Sequence, residues 1–159
     1  AKEARVALDY IERTLLPEGI AARVAVALVF AVNVQCAASF ALWPEAFAAG
    51  FERAGVPGAA AVRGLGVAFL MWNATYPPVI ANPRRFRALF AVLLVQQVVG
   101  LTGESWILLS LPVGHAALAA SIIRFIAFDA AGLMLMAAAL SWLVLADRRA
   151  RRAATGPGA

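Results

Sequence analysis

The stretch that decides the fold is VAVALVFAVNVQCAASFALW, which runs from Val24 to Trp43. None of its side chains is charged, and a helix of this length rises about 30 Å, which matches the hydrocarbon core of a bilayer. The stretch therefore predicts a first membrane span. Asn33 and Gln35 give this span two polar side chains near its middle.

The whole chain has the composition of a membrane protein. Of its 159 residues, 63% are hydrophobic and 14% are charged, whereas soluble domains average about 45–50% and about 25%. The pattern predicts an all-α integral membrane protein, a four-helix bundle, with Tyr76-Pro77-Pro78 distorting the second span. The predicted spans are residues 24–43, 59–80, 86–109 and 116–146.

The segments around the spans predict three further features. Residues 1–16 alternate apolar and charged side chains with helical periodicity, which is typical of an amphipathic helix lying at the membrane surface. Residues 17–147 form the membrane domain, with a short, half-immersed helix within 45–58 that Gly55, Pro57 and Gly58 close. Residues 148–159 are predicted to be a basic, disordered tail.

Basic residues indicate the orientation of the bundle. All 14 Lys and Arg residues except Arg53, Arg63 and Arg124 lie before span one, directly after span two, or after span four. Because cytoplasmic flanks are enriched in Lys and Arg, both termini are predicted to be cytoplasmic, with loops 44–58 and 110–115 outside. This explanation makes a nucleic-acid partner unnecessary and leaves the lipid bilayer as the expected environment.

Ionisable side chains within a span are costly, so each is a candidate site residue with a partner to be identified. Glu104 and Arg124 both fall in the outer third of their spans by helical rise. The sequence predicts that they pair, with Arg63 as the second candidate partner of Glu104. Asp129 lies deeper, near the level of Asn33 and Gln35.

A polar face on span three adds to this set. Gln97, Gly100 and Glu104 follow one another at helical spacing and share a face, with Gln96 beside it. The complete set of candidate site residues is Glu104, Arg124, Asp129, Gln97, Gln96, Asn33, Gln35 and Arg63.

Three interpretations of these polar residues remain open. They can join helices by interhelical hydrogen bonds. They can line an outward-facing pocket for a small ligand, with walls formed by Trp106, Trp72 and Phe128. They can also form a proton or ion path through Glu104 and Asp129.

Several classes of site are excluded by counting. The chain has one histidine and one cysteine, His115 and Cys36, so a bis-histidine haem and a two-cysteine redox relay are ruled out. No metal-ligand cluster, phosphate-binding glycine loop or Ser-His-Asp set is present, and no catalytic signature decides whether the chain is an enzyme. No cofactor follows from the sequence, although a quinone or a lipid fits a membrane pocket.

The chain resembles the DoxX-like group of small four-helix bacterial membrane proteins over about 130 residues. The resemblance rests on Arg23 before span one, the segments 44–47 (PEAF) and 55–57 (GVP), Arg63-Gly64-Leu65-Gly66, and the turn Asn82-Pro83-Arg84-Arg85. The sequence departs from the group at 33–39 (NVQCAAS), where a Ser-Gly…Lys feature is common. The resemblance implies a bacterial inner-membrane protein, in some members associated with sulfur or quinone redox systems, and assigns no catalytic residue.

Taken together, the sequence favours an inner-membrane protein whose polar pocket faces outward. The expected ligand is a small amphiphilic molecule such as a quinone, in a redox or envelope system. The alternatives are an accessory or assembly subunit with a membrane protein partner, and a small proton-coupled transporter working as a homodimer.

Overall fold

The computed structural model describes residues 16–155, which form helices and short connections. Four helical segments are long and apolar enough to cross a membrane, so the predicted all-α class and the four candidate spans are confirmed. In chain order the helices are α1 (Pro17–Leu42), α2 (Glu45–Ala48), α3 (Gly55–Asn73), α4 (Tyr76–Ala81), α5 (Arg87–Ser110) and α6 (Ala116–Ala154), with a 3₁₀ turn at Ala49–Phe51.

The first and last helices are longer than the spans predicted from hydropathy. Helix α1 begins at Pro17 rather than Val24, and proline suits the first helical position because the backbone N–H there needs no helical partner. Helix α6 continues to Ala154, so residues 148–154 of the tail are helical and not disordered as predicted. The predicted surface helix and the last residues of the tail lie outside the described residues, apart from Leu16 and Thr155.

The second candidate span is divided into α3 and α4, as the two prolines predict. Pro77 and Pro78 have no backbone N–H, so they occur in the first turn of α4 and not inside a continuous helix. Before them the chain tightens, and the N–H of Ala74 donates to the carbonyl of Met71 at 3.3 Å. The break places Tyr76 inside the bundle, where only 2% of its surface is exposed.

The connection between α1 and α3 contains the expected short helix, in the form of α2 and the 3₁₀ turn. Gly55 and Pro57, which were expected to close this segment, instead form the first turn of α3. Glu52 directly follows the 3₁₀ turn on the way to α3, and its backbone has a left-handed conformation with φ of 53°.

Helix α1 is central and packs against α3 and α6, while α5 packs against α6. Gly66 lets α1 and α3 approach closely, because a Cβ at this position would lie 2.7 Å from the carbonyl oxygen of Ala37. Toward the end of the bundle that holds α4, a core is buried between the helices. It includes Val26, Val29, Tyr76, Val79, Phe90, Leu93, Met136 and Leu143.

A charged network closes that same end of the bundle. Arg84, in the turn between α4 and α5, donates to Glu18 at 2.7 Å and to Asp147 at 3.1 Å. Arg87 also pairs with Asp147. The start of α1, the turn before α5 and the last part of α6 therefore lie together, as an antiparallel arrangement of four spans requires.

Large apolar side chains face outward on the remaining surface. Met71, Val95 and Trp106 are 73%, 61% and 75% exposed. Exposed apolar surface on this scale is unusual for a soluble protein and is expected where the surrounding solvent is lipid.

Candidate functional site

A cavity of about 520 Å³ occupies the half of the bundle opposite the charged network. It extends from the 3₁₀ turn at Ala49–Phe51 inward to Tyr76 and Asp129, and α1, α3, α5 and α6 all contribute to its wall. Small-molecule sites in proteins have volumes of about 300–1,000 Å³ and combine apolar walls with a few polar groups. The cavity has both properties.

Aromatic rings form the outer part of the wall. Phe40 of α1 is at the centre of this group, with its ring centroid 4.9 Å from Phe47 and 6.2 Å from Phe125. Phe51 and Phe69 lie 6.3 Å and 6.1 Å from Phe125. Because four separate parts of the chain supply these rings, the wall depends on the folded bundle.

A hydrogen-bonded chain crosses the inner part of the cavity. The amide of Asn33 donates to the hydroxyl of Tyr76 at 3.3 Å. The Gln97 amide is oriented with its oxygen 3.3 Å from the same hydroxyl, from which it accepts, while its nitrogen donates to Asp129 Oδ1 at 3.1 Å. Asn33, Tyr76, Gln97 and Asp129 thus connect α1, α4, α5 and α6.

Gly100 makes space for the carboxylate at the end of this chain. A Cβ at Gly100 would overlap Asp129 Oδ2 and would lie 3.1 Å from its Cγ. The Asp129 carboxylate therefore occupies the place that a side chain on the neighbouring helix would take. The face of α5 that carries Gln97, Gly100 and Glu104 is turned toward α6 and the cavity.

Glu104 and Arg124 both line the cavity, but the predicted ion pair between them is absent from the described structure. Arg124 instead donates from Nη2 to Ser121 Oγ, one turn away on the same helix, at 2.9 Å. The half-buried carboxylate of Glu104 makes no hydrogen bond with any described protein group. The two residues therefore line the same cavity, as their similar depth predicted, but their charged atoms do not form an ion pair.

Arg63 and Gln35, also predicted as site residues, lie outside the cavity. The exposed side chain of Arg63 donates to the carbonyl of Ala41 at 3.1 Å, which ties α3 to the end of α1. Gln35 is exposed on α1. Of the predicted wall residues, Trp72 and Phe128 line the cavity, while Trp106 is 75% exposed and does not.

The connection between α1 and α3 covers the aromatic end of the cavity and is held by polar contacts to α6. Ser121 donates to the carbonyl of Gly50 at 2.7 Å. The Glu52 carboxylate pairs with His115 and accepts from the backbone N–H of Leu118 at 3.2 Å, in the first turn of α6. The hydrogen bond from His115 holds the pKa of Glu52 below its ordinary value.

Three residues of this site were not singled out by their own pattern in the sequence. Tyr76 was noted only as part of a helix break, Ser121 is one of several small residues in α6, and Asn73 forms part of a glycosylation-like triplet. The break at Ala74–Thr75 is the signal that could have found two of them, because irregular backbone at membrane depth occurs where protein or a cavity surrounds it.

No family model, no curated protein and no solved structure matches this chain. The resemblance to the DoxX-like group therefore stays a prediction.

Proposed function

We propose that this chain is a multi-pass membrane protein of the bacterial inner membrane that binds one small amphiphilic molecule of the quinone class. The observation that carries the proposal is the cavity of about 520 Å³, which combines an aromatic wall and a polar inner end within four candidate membrane spans. A redox or envelope system is the proposed context, following the DoxX-like resemblance.

The wall favours a flat, apolar ring. Planar rings stack or meet edge to face with Phe side chains at centroid separations of about 4.5–7 Å, and the Phe groups here already adopt such separations. Trp72, which is 36% exposed, extends the wall toward the surface of the bundle. A ligand with an apolar tail can therefore hold its ring in the cavity while the tail remains in lipid.

Polar side chains in the cavity wall supply the contacts that fix the head group. Gln96, Glu104 and Arg124 line the cavity together with the Asn33–Asp129 chain. Polar groups at membrane depth are costly unless they are paired, so this concentration of them in one cavity favours a ligand with polar atoms.

Native mass spectrometry of the protein from a mild detergent, followed by extraction of small molecules, tests the proposal. The expected result is one bound molecule of the quinone class in the wild type. A Cys36→Phe variant, which places a ring in the cavity, is expected to lose it, whereas Gln35→Phe at the adjacent exposed position is expected to retain it.

The two variants share the introduced side chain and differ in the direction in which it points, so equal loss from both would indicate damage to the fold. A wild type that carries only a second protein, or that carries no small molecule after reconstitution with a quinone, would contradict the proposal and favour the accessory-subunit interpretation.

A further inference from the structure

Helix α6 is longer than the hydrocarbon core of a bilayer is thick. Its 39 residues rise about 58 Å, whereas the core measures about 30 Å. Asp147 belongs to the charged network at one end of the bundle, and α6 continues beyond it to Ala154. Because charged side chains are costly inside the core, this extension emerges from it and enters the layer of the lipid head groups.

The extension carries basic side chains on one side of the helix. They are all exposed, and they are Arg148, Arg149, Arg151 and Arg152. Successive residues of a helix are rotated by about 100°, so these four side chains fall within an arc of about 160°. Ala146, Ala150 and Ala153 occupy the opposite side. The four residues form the arginine face, which exists because the extension is helical.

No described residue neutralises the arginine face. Arg84 and Arg87, at the same end of the bundle, pair with Glu18 and Asp147. The guanidinium groups of the arginine face make no ion pair with any side chain in residues 16–155. Like charges one turn apart on a helix repel each other, so this face gains stability from an anionic surface.

The arginine face points away from the bundle and continues the apolar surface of α6. Leu143, which is fully buried, and Asp147 mark the side that packs on the bundle. On the other side, Met134 and Leu145 are 67% and 49% exposed. Arg152 follows Leu145 on the same line of the helix, about two turns later. The side that presents apolar groups to lipid thus becomes basic where the apolar residues end.

The depth of these arginines matches the head groups of a bilayer. By helical rise they lie about 5–11 Å beyond Leu145, and the head-group layer is about 5–8 Å thick on each side of the core. The planar guanidinium group binds phosphate oxygens through two parallel hydrogen bonds. From this placement we infer that the arginine face binds the head groups of anionic phospholipids. This site is separate from the cavity and does not depend on what the cavity binds.

Nucleic acids and acidic proteins also attract arginine, but they approach from water. The arginine face lies on the lipid side of α6, directly beyond its exposed apolar residues. The first anionic groups that it meets are therefore lipid phosphates. Basic residues directly beyond a membrane span are typical of contacts with anionic lipids.

Trp142 offers a local probe of the lipids at this site. It is 49% exposed and lies two turns before Arg149 on the same side of α6. A full-length chain with Trp43→Phe, Trp72→Phe and Trp106→Phe keeps Trp142 as its single tryptophan. In phosphatidylcholine vesicles, quenching by phosphatidylglycerol with brominated chains is compared with quenching by brominated phosphatidylcholine. The anionic lipid is expected to associate roughly fivefold more strongly at Trp142, the usual effect of one basic residue at a membrane surface.

Trp106 provides the matched control at the other end of the bundle, where it is 75% exposed. In a chain that keeps Trp106 as its single tryptophan, the two lipids are expected to quench equally. Replacing all four residues of the arginine face by glutamine is expected to reduce the preference at Trp142 to about one. Replacing them by lysine keeps the charge and is expected to keep the preference for the anionic lipid, which falls as salt is added.

The comparison of Trp142 with Trp106 decides the question even where the glutamine variant fails to fold. Equal quenching of Trp142 by the two lipids would overturn the inference and leave the arginines to an acidic partner from solution. The same preference at both tryptophans would also overturn it, because the arginine face is at one end only. A glutamine variant that folds and keeps the full preference would show that other groups select the lipid.

Discussion

Asp129 is the residue on which the inner end of the cavity depends. Its carboxylate accepts a hydrogen bond from the amide nitrogen of Gln97 at 3.1 Å. The same carboxylate occupies the position that a Cβ on Gly100 would take. The pair of residues therefore acts as one unit, in which glycine supplies the space and aspartate fills it with a polar group. A single added methyl group at Gly100 would therefore overlap the Asp129 carboxylate.

Gly100→Ala is predicted to destabilise the protein by about 1–3 kcal/mol, the usual range for adding a methyl group to a packed position. Asp129 must move, and its bond to Gln97 must lengthen or break. The measurement is the thermal midpoint in detergent, together with retention of the bound molecule.

Gly103→Ala is the control, because nothing lies within 4 Å of a Cβ at that position on the same helix. It is predicted to leave the midpoint unchanged within experimental error. Equal effects of the two substitutions would show that Asp129 does not occupy the space beside Gly100.

Residue spacing in the sequence predicted part of this unit. The spacing of Gln97, Gly100 and Glu104 placed them on one face, and that face is turned toward α6. The predicted ion pair between Glu104 and Arg124 was wrong. Helical rise gives only the depth of a residue, whereas an ion pair also depends on how each helix is rotated about its axis and on the rotamer of each side chain. Arg63 was also predicted as a site residue from its depth alone, whereas its side chain donates to the carbonyl of Ala41 at the end of α1.

At the scale of elements, the loop of residues 44–54 between α1 and α3 covers one end of the cavity. Glu52 adopts a left-handed backbone conformation, which is uncommon for a residue other than glycine, asparagine or aspartate. Its carboxylate then reaches His115 and the N–H of Leu118, at the N-terminus of α6 where a negative charge is favoured. These contacts offset the cost of the conformation.

The stability of this cover is predicted to fall in acid. Because His115 lowers the pKa of Glu52 in the folded state, the stabilisation is complete above the ordinary glutamate value of 4.5 and is lost as the pH falls through the lower folded value. Thermal midpoints measured from neutral pH to below 4.5 are expected to fall more in the wild type than in Glu52→Gln.

Glu45→Gln is the matched control, because Glu45 lies in the same loop, is exposed, and makes no bond to α6 among the described residues. It is expected to keep the acid sensitivity of the wild type. If Glu52→Gln keeps it as well, the pairing with His115 does not hold the cover in place.

The sequence predicted the helices better than their ends. Apolar length defines the part of a helix that lies in lipid, and the Tyr76-Pro77-Pro78 break follows from missing N–H groups. Hydropathy carries no signal for the charged turns at the start of α1 and the end of α6. Glu18 and Asp147 in these turns bond to Arg84, a contact distant in sequence that hydropathy does not register.

At the scale of the whole molecule, the two ends of the bundle differ in kind. One end has the network of Glu18, Arg84, Arg87 and Asp147 and is followed by four further arginines in the α6 extension and its end. The other end has the cavity and its cover. The positive-inside rule then predicts that the charged end faces the cytoplasm and that the cavity opens on the outer side.

The composition was sufficient to predict four apolar helices long enough to cross a membrane, because hydropathy acts through long segments and not through single contacts. The orientation that the basic clusters indicate stays a prediction. The cavity could not be derived in the same way. Its wall combines Phe40, Phe69 and Phe125 from three helices, and only their packing brings these rings together.

Cysteine accessibility in intact cells tests the central claim most directly, since that claim is a four-span bundle whose cavity faces outward. In a Cys36→Ala background, single cysteines are placed at Ala46 beside the cavity, at Ser110 at the end of α5, and at Ala153 in α6. An impermeant thiol reagent is predicted to label positions 46 and 110 before lysis and position 153 only after it. Labelling of position 153 in intact cells, with positions 46 and 110 protected, would contradict the orientation and place the cavity on the cytoplasmic side.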